Sequence, residues 1–425
     1  MERRKEIIGG IVTFMSMAYI IFVQPSVLSQ AGMDFGAVMM ATCLSAAFAT
    51  LMMGLYANYP IALAPGMGEN FYFAFTVILG MGIAWQKALG AVFLSGVIFL
   101  ILTLVGIREL IINAVPSSLK NAIAAGIGLF IAFIGLNQAG IVKIEGNIIH
   151  LGSMKSPPVL LTLFGLFLIC VLMRFNVKGS ILIGMLATAV LGIALGYLKF
   201  YGIVGKPPSI SPTFLKLDIK GALELGFITI ILVFLLMDMF DTAGTLIGVG
   251  QAAGFIKDGK LPRANRCLLT DAVGTILGAL LGTSTVTSYI ESATGVAQGA
   301  RTGFASVITG LLFLISIFFY PLVKTIGGGM EWQGAIFYPV TAPALIIVGY
   351  YMAHTIKEIE WEDITEAIPA FLTLIGIPLT YSIADGMALG FISYCIIKLL
   401  TKKGKEVHPI LYVFAGLFIF KYVIF

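Results

Sequence analysis

Five carboxylic acids stand where acids are costly. Glu69, Asp238, Asp241, Asp271 and Glu291 lie inside long apolar runs, with no basic residue embedded beside them in the sequence. An ionisable side chain in such surroundings marks a binding or proton-relay site by default, and a buried hydrogen bond between helices is the alternative for each. Asp238 and Asp241, in "LLMDMFDTAGT", are three apart and so share one side of a helix. Two acids on one face repel when both are ionised, which is the arrangement of a proton carrier. Thr242 and Thr245 offer hydroxyls that would satisfy Asp241 locally. Glu291, in "GTSTVTSYIESATG", opens a short helix whose free N–H groups and dipole favour a carboxylate, and its oxygens suit a ligand with N–H donors. Tyr289, two residues earlier on an extended segment, points along the same face and offers a ring. Asn70, in "APGMGENFYFAF", opens a second short helix with both a donor and an acceptor, the pair that reads a base edge. Glu69 beside it points about 100° away. Asp271, in "LLTDAVGT", fits a helix tie or a proton relay better than ligand contact. The aromatic run Phe71, Tyr72, Phe73 and Phe75 reads as packing rather than a stacking platform.

These side chains must be held by membrane helices. The 425 residues are 59% hydrophobic and 11% charged, with a mean hydropathy of +1.02, whereas a soluble domain carries about 25% charged residues. Runs long enough to cross the hydrocarbon follow one another nearly end to end. They predict an all-α polytopic membrane protein of fourteen transmembrane segments, with a further apolar run at 408–424. The first segment reaches Leu28 without a small-residue cleavage site and reads as a retained helix. Cys43, Cys170, Cys267 and Cys395 show no CxxC spacing, and His150, His354 and His408 are too scattered for a metal site. No metal or cofactor is expected. Neither a Walker sequence nor HExxH nor GxSxG occurs, so ATP-driven transport and intramembrane hydrolysis have no support.

Every arginine (Arg3, Arg4, Arg108, Arg174, Arg263, Arg266 and Arg301) falls in the N-terminal tail or in a loop after an even-numbered segment. The loop 256–266, "IKDGKLPRANR", is the most basic of these. Cytoplasmic loops collect such residues, so the N-terminus is expected inside. Topology then explains the net charge of +5, and no nucleic-acid partner is needed. Shifted by about 225 residues, 49–68 ("ATLMMGLYANYPIALAPGMG") overlies 274–293 ("GTILGALLGTSTVTSYIESA") in pattern: an apolar helix ends, an extended piece follows, and a new helix begins. Seven segments separate the copies, so the second enters from the other side, the mark of an inverted repeat. Pro60 and Pro65 disfavour helix at the residues before them, and "TSTVTSYIE" alternates like a strand. Extended backbone cannot face lipid unpaired, so short antiparallel strands in segments 3 and 10 are predicted to pair in the membrane core.

Four blocks, "NYPIALAPGMGENFYFAFTV", "DMFDTAGTLIGV", "LLTDAVGTILGALLGTSTVTSYIESATGVAQGARTG" and "ITEAIPAFLTLIGIPLTYSIADGMALGFISY", closely resemble the AzgA-like purine permeases of the xanthine/uracil permease superfamily. The resemblance runs over nearly the whole chain. It implies two inverted repeats of seven segments, 1–215 and 216–425. Core segments fall at about 8–106 and 221–323, and gate segments at about 118–200 and 338–400. It further implies proton-coupled import of adenine, guanine or hypoxanthine, a core that moves elevator-like against the gate, and a homodimer formed largely by gate segments. The acid pair of the eighth helix falls on Asp238 and Asp241, the acid of the tenth on Glu291 and the polar residue of the third on Asn70. Glu69 stands where the resemblance implies an apolar or small residue.

The reading is thus of a multi-pass permease of the cell membrane, with no enzymatic activity. A purine lies between the half-helix ends, Glu291 and Asp238 accept its N–H groups, and Tyr289 or Phe240 stacks on it. Asp241 or Asp238 carries the proton, with Asp271 as a coupling residue. One rival is the same architecture with xanthine, uracil or an anion as cargo, although an anion carrier should place a basic residue near 291 and none precedes Arg301. A passive channel or facilitator is the rival of another class.

Overall fold

The computed structural model describes residues 2–146, 148–256 and 261–424. Residues 257–260 of the basic loop expected at 256–266 lie outside the described residues.

The first half of the chain builds α1 (Glu2–Met17) and α2 (Ile20–Gln30) as one bent rod, then α3 (Phe35–Met52), which ends in a π-helical turn, Met53–Ala57. A three-residue strand, β1 (Leu63–Pro65), leads into α4 (Met67–Phe71), which is continued by the π-helical stretch Tyr72–Gly80. There follow α5 (Trp85–Val105), the short α6 (Arg108–Ala114), α7 (Ser117–Gln138), a hairpin β2 (Val142–Glu145) and β3 (Ile148–Leu151), α8 (Pro157–Arg174) and α9 (Ser180–Ala194). The second half runs through α10 (Ile219–Ala222), α11 (Ile228–Ala252), α12 (Ala264–Leu281), β4 (Val286–Ser288), α13 (Ser292–Ala297), α14 (Gly303–Ser316) and α15 (Tyr320–Gly327). After the hairpin β5 (Met330–Trp332) and β6 (Ala335–Phe337) come α16 (Ala342–Ala353), α17 (Ile364–Thr380), α18 (Ile383–Leu400) and α19 (Pro409–Ile424). Among the described residues, nine helices are long and apolar enough to cross a membrane, and three more apolar helices are shorter. The chain is a mostly helical, polytopic membrane protein.

Strands β1 and β4 pair antiparallel in the interior, with Leu63 opposite Ser288, Ala64 opposite Thr287 and Pro65 opposite Val286, all six residues buried. Two further bonds, Tyr289 N–H to Ala62 O and Gly66 N–H to Thr285 O, both 2.9 Å, extend the ladder. Residues in such a ladder alternate between facing the partner strand and facing outward, so Leu63 and Val286 turn their backbone groups away. Each finds a threonine. The Thr50 hydroxyl of α3 accepts from Leu63 N–H and donates to its carbonyl, both at 2.9 Å. The Thr275 hydroxyl of α12 does the same for Val286, at 3.1 and 3.0 Å. The outward-turned backbone groups of Leu63 and Val286 are thereby met in the apolar interior, and the two threonines lie the same 225 residues apart as the matched segments.

The hairpins at 142–151 and 330–337 were not anticipated from the hydropathy pattern, which assigned these stretches to connections. Gln333 and Gly334 both have positive φ, 52° and 79°, the turn geometry that matches the twist of paired strands.

The last helix lies antiparallel along α18. Phe391 packs against Phe414 and Phe418 at mid-length. Near one end Lys398 bridges Glu366 at 2.9 Å and Glu406 at 3.1 Å, and near the other Lys421 reaches Asp385 at 3.1 Å.

Candidate binding site

A cavity of about 980 Å³ opens where the two strand-to-helix junctions meet the joint between α1 and α2. Its deep wall carries Glu69 from α4, Asp241 and Phe240 from α11, Tyr289 and Glu291 from the β4–α13 junction, and Tyr19 from the α1–α2 joint. Its outer wall is made of helix ends. Ser117 and Lys120 start α7, Lys178 and Ser180 start α9, Met173 ends α8, and Met352 ends α16. These ends rim the cavity on one side and form a mouth.

Glu291 precedes the first residue of α13 but does not cap it, since its side chain accepts no bond from that helix. Its Oε1 instead accepts a 2.7 Å hydrogen bond from the Tyr19 hydroxyl. The Tyr289 hydroxyl donates to Pro65 O at 2.5 Å, so its oxygen is engaged by the backbone and its ring is what faces the cavity. Ser288, also on the wall, has a buried Oγ without a hydrogen-bond partner. In a buried site such a hydroxyl is available to a ligand.

The acid pair of α11 divides. Three residues advance a helix by about 300°, leaving the two side chains about 60° apart. That offset suffices to open Asp241 onto the cavity while turning Asp238 toward α12. Asp238 is 1% exposed and does not line the cavity. It accepts from the Thr275 hydroxyl at 3.1 Å and faces Asp271 of α12. Asp238, expected to touch the ligand, thus lies behind the wall of this cavity. Thr242, expected to serve Asp241, pairs instead with Thr287 of β4 at 2.8 Å.

Helix α4 shows a similar division. Asn70 is fully buried away from the cavity, and its side-chain oxygen accepts from the Ser284 hydroxyl. Glu69, one residue and about 100° earlier, takes the wall position. Gly66 makes room for it: a Cβ there would come within 2.7 Å of Thr287 Cγ2 and meet the Glu69 carboxylate. Among the five embedded acids Glu69 is the harder one to place from sequence, although its position in the first turn after "APG" is a usable signal. Tyr19 was missed outright.

The deep wall thus gathers three carboxyls, three aromatic rings and an unpartnered hydroxyl around one space. Among the described residues, no Lys or Arg forms an ion pair with Glu69, Asp241 or Glu291. Lys120 at the mouth donates to Ile112 O instead. Such a wall offers acceptors to N–H donors and rings to a flat ligand.

Comparison with known proteins bears on the family. The model of the xanthine/uracil permeases, described as a permease family, matches residues 4–389. The chain is 57% identical to a putative permease, MJ0326, of Methanocaldococcus jannaschii, over 98% of this chain and 94% of that one. It is 48% identical to the guanine/hypoxanthine permease PbuG of Bacillus subtilis, over 98% and 94%. To the adenine permease AdeP of Escherichia coli it is 42% identical, over 99% and 93%. Among solved structures, the transmembrane domain of the cyanobacterial bicarbonate transporter BicA superposes with a TM-score of 0.66 at 14% identity, over 91% of this chain and 97% of that one. That likeness is one of fold.

Proposed function

The chain belongs to the xanthine/uracil permease family, and from that membership we propose that it imports a purine nucleobase by proton symport. The observation that carries the reading is the cavity wall: Glu291, Asp241 and Glu69 beside the rings of Tyr289 and Phe240. A neutral purine presents N–H donors and a flat face, and this wall offers acceptors and rings. The purine permeases among the relatives support the same cargo class.

In this reading the chain has fourteen segments in two inverted repeats, 1–215 and 216–425, with Thr50 and Thr275 as equivalent strand clasps. The core carries the broken helices and the gate carries α7–α9 and α16–α18. The mouth is formed by gate-helix ends and bears Lys120 and Lys178, on the side where the arginines collect. By the positive-inside rule that side is cytoplasmic. The structure then corresponds to a site open to the cell interior, in the plasma membrane with the N-terminus inside, and the core rises past the gate to load from outside. Homodimers form through the gate.

Asp241, facing the cavity, exchanges the coupling proton with solvent. Asp238 and Asp271, sealed behind it, keep theirs within the core and brace β4 through Thr275. Three carboxyls around one space disfavour an anion as cargo. Xanthine or uracil remains the alternative cargo, and a passive facilitator the alternative class.

Uptake of radiolabelled adenine, guanine, hypoxanthine, xanthine and uracil into proteoliposomes, with and without an imposed proton gradient, tests the proposal. Saturable purine accumulation that collapses with the gradient is expected, and Glu291→Ala should abolish it. Flux indifferent to the gradient would leave the facilitator, and parental transport by Glu291→Ala would remove the site.

A further inference from the structure

We infer that Tyr19 is the positioning residue of the binding site: it holds the Glu291 carboxylate in place and leaves one of its oxygens for the ligand. This rests on the reading of Glu291 as a ligand contact. Glu291 makes no capping bond to α13, and beyond its own backbone N–H its carboxylate is held from another helix. Its hydrogen bond from another side chain is the 2.7 Å contact with the Tyr19 hydroxyl. Tyr19 in turn has little freedom. It is 1% exposed, at the joint where α1 gives way to α2, with Phe22 N–H and Val23 N–H both bonding its carbonyl at 3.1 and 3.0 Å.

A second tie joins the same pieces. Ser16, one turn before Tyr19 and also on the cavity wall, bonds the Thr294 hydroxyl at 3.0 Å, and Thr294 bonds the Glu291 carbonyl at 2.7 Å. The residue that receives the ligand is therefore fixed through its carbonyl by way of Ser16 and through its carboxylate by Tyr19. Tyr19 engages Oε1, and Oε2 is the oxygen left to accept a ligand N–H. Without the phenol hydroxyl, the carboxylate would turn among rotamers and bind the same ligand less often in the productive pose.

The test is equilibrium binding of radiolabelled guanine and adenine to the purified full-length protein in detergent, alongside KM and Vmax of uptake, for Tyr19→Phe, Glu291→Gln and the double variant. Hydrogen bonds to charged groups place the expected weakening by Tyr19→Phe at about 10- to 100-fold in Kd and KM, with Vmax within about twofold of the parent. In the Glu291→Gln background the same change should cost at most about threefold, because the partner it orients is gone. Parental affinity in Tyr19→Phe, with Glu291→Gln impaired, overturns the positioning role and leaves the site intact. Equal losses in both backgrounds also overturn it, since Tyr19 would then act elsewhere. Parental binding by Glu291→Gln brings down the site reading itself, and this inference with it. Should Tyr19→Phe fail to support uptake, the binding arm decides by the same criteria.

Discussion

Replacing Thr275 by valine tests whether the strand pair at the centre of the molecule depends on a hydroxyl from a neighbouring helix. Valine keeps the shape and removes the oxygen. In the parent, that oxygen accepts from Val286 N–H at 3.1 Å and serves both Val286 O, at 3.0 Å, and Asp238 Oδ2, at 3.1 Å. The site is fully buried, so no solvent replaces these bonds. Leaving a buried donor or acceptor unmet costs about 1–3 kcal/mol each. Two backbone groups at Val286 thus predict a loss of roughly 2–6 kcal/mol. Thr50→Val is the matched control, because it strips Leu63 of the same two bonds and touches no acid. The assay is the apparent melting temperature and the half-life in detergent at a fixed temperature, measured with purine uptake at equal protein density. Both variants should be destabilised to a similar degree, Thr275→Ser should recover most of the loss, and only Thr275→Val should also lower uptake per folded molecule, through Asp238. A Thr275→Val protein as stable as the parent and transporting at the parental KM would refute the reasoning, for it would mean that the outward-turned backbone of β4 needs no partner.

Three other expectations follow from the same geometry. Under the proposed proton symport, Asp241→Asn should abolish purine accumulation driven by a proton gradient while sparing purine counterflow, which a liposome exchange assay reads directly. Lys398→Met should be among the most damaging changes outside the site, because it leaves the buried Glu366 carboxylate without its 2.9 Å partner. Breaking such pairs costs about 3–5 kcal/mol, and Glu366→Gln in the same chain should restore part of the melting temperature. Asp363, which caps α17, is held down to a pKa of about 2 by the Thr365 hydroxyl and then the Thr365 N–H. A depressed acid contributes stability above its unfolded value of roughly 3.9. That contribution should fade as pH falls from about 4 through about 2, and Asp363→Asn should flatten the profile in acid-titrated detergent melts.

The extended segments were legible because proline and β-branched alternation contradict the helices around them. The acids were legible because an apolar background isolates them, and the family because four motif blocks carry it. What failed was rotation about helix axes. Whether Asn70 or Glu69, and Asp238 or Asp241, faces the cavity turns on offsets of about 100° and 60°, which are settled by where the neighbouring elements pack. Periodicity carries no such information when every face of a helix is apolar. Tyr19 escaped for another reason: the α1–α2 joint occurs in "SMAYI", without proline or glycine, so nothing local announces it. Thr275 and Thr50 were equally silent, since a threonine that clasps a strand is composed no differently from one that packs.

The path of α19 has a consequence for anyone attaching a reporter to this protein. Gln30, at the end of α2, meets Gln138 at the end of α7, and the first turn of α7 lines the cavity mouth. Hence α1 starts on the mouth side. The turn before α19 sits beside Pro116, on that same side, and its last turn lies with Asp385, at the opposite end of α18. A reporter attached near the start of α1 and one attached near the end of α19 are therefore held at opposite ends of the molecule.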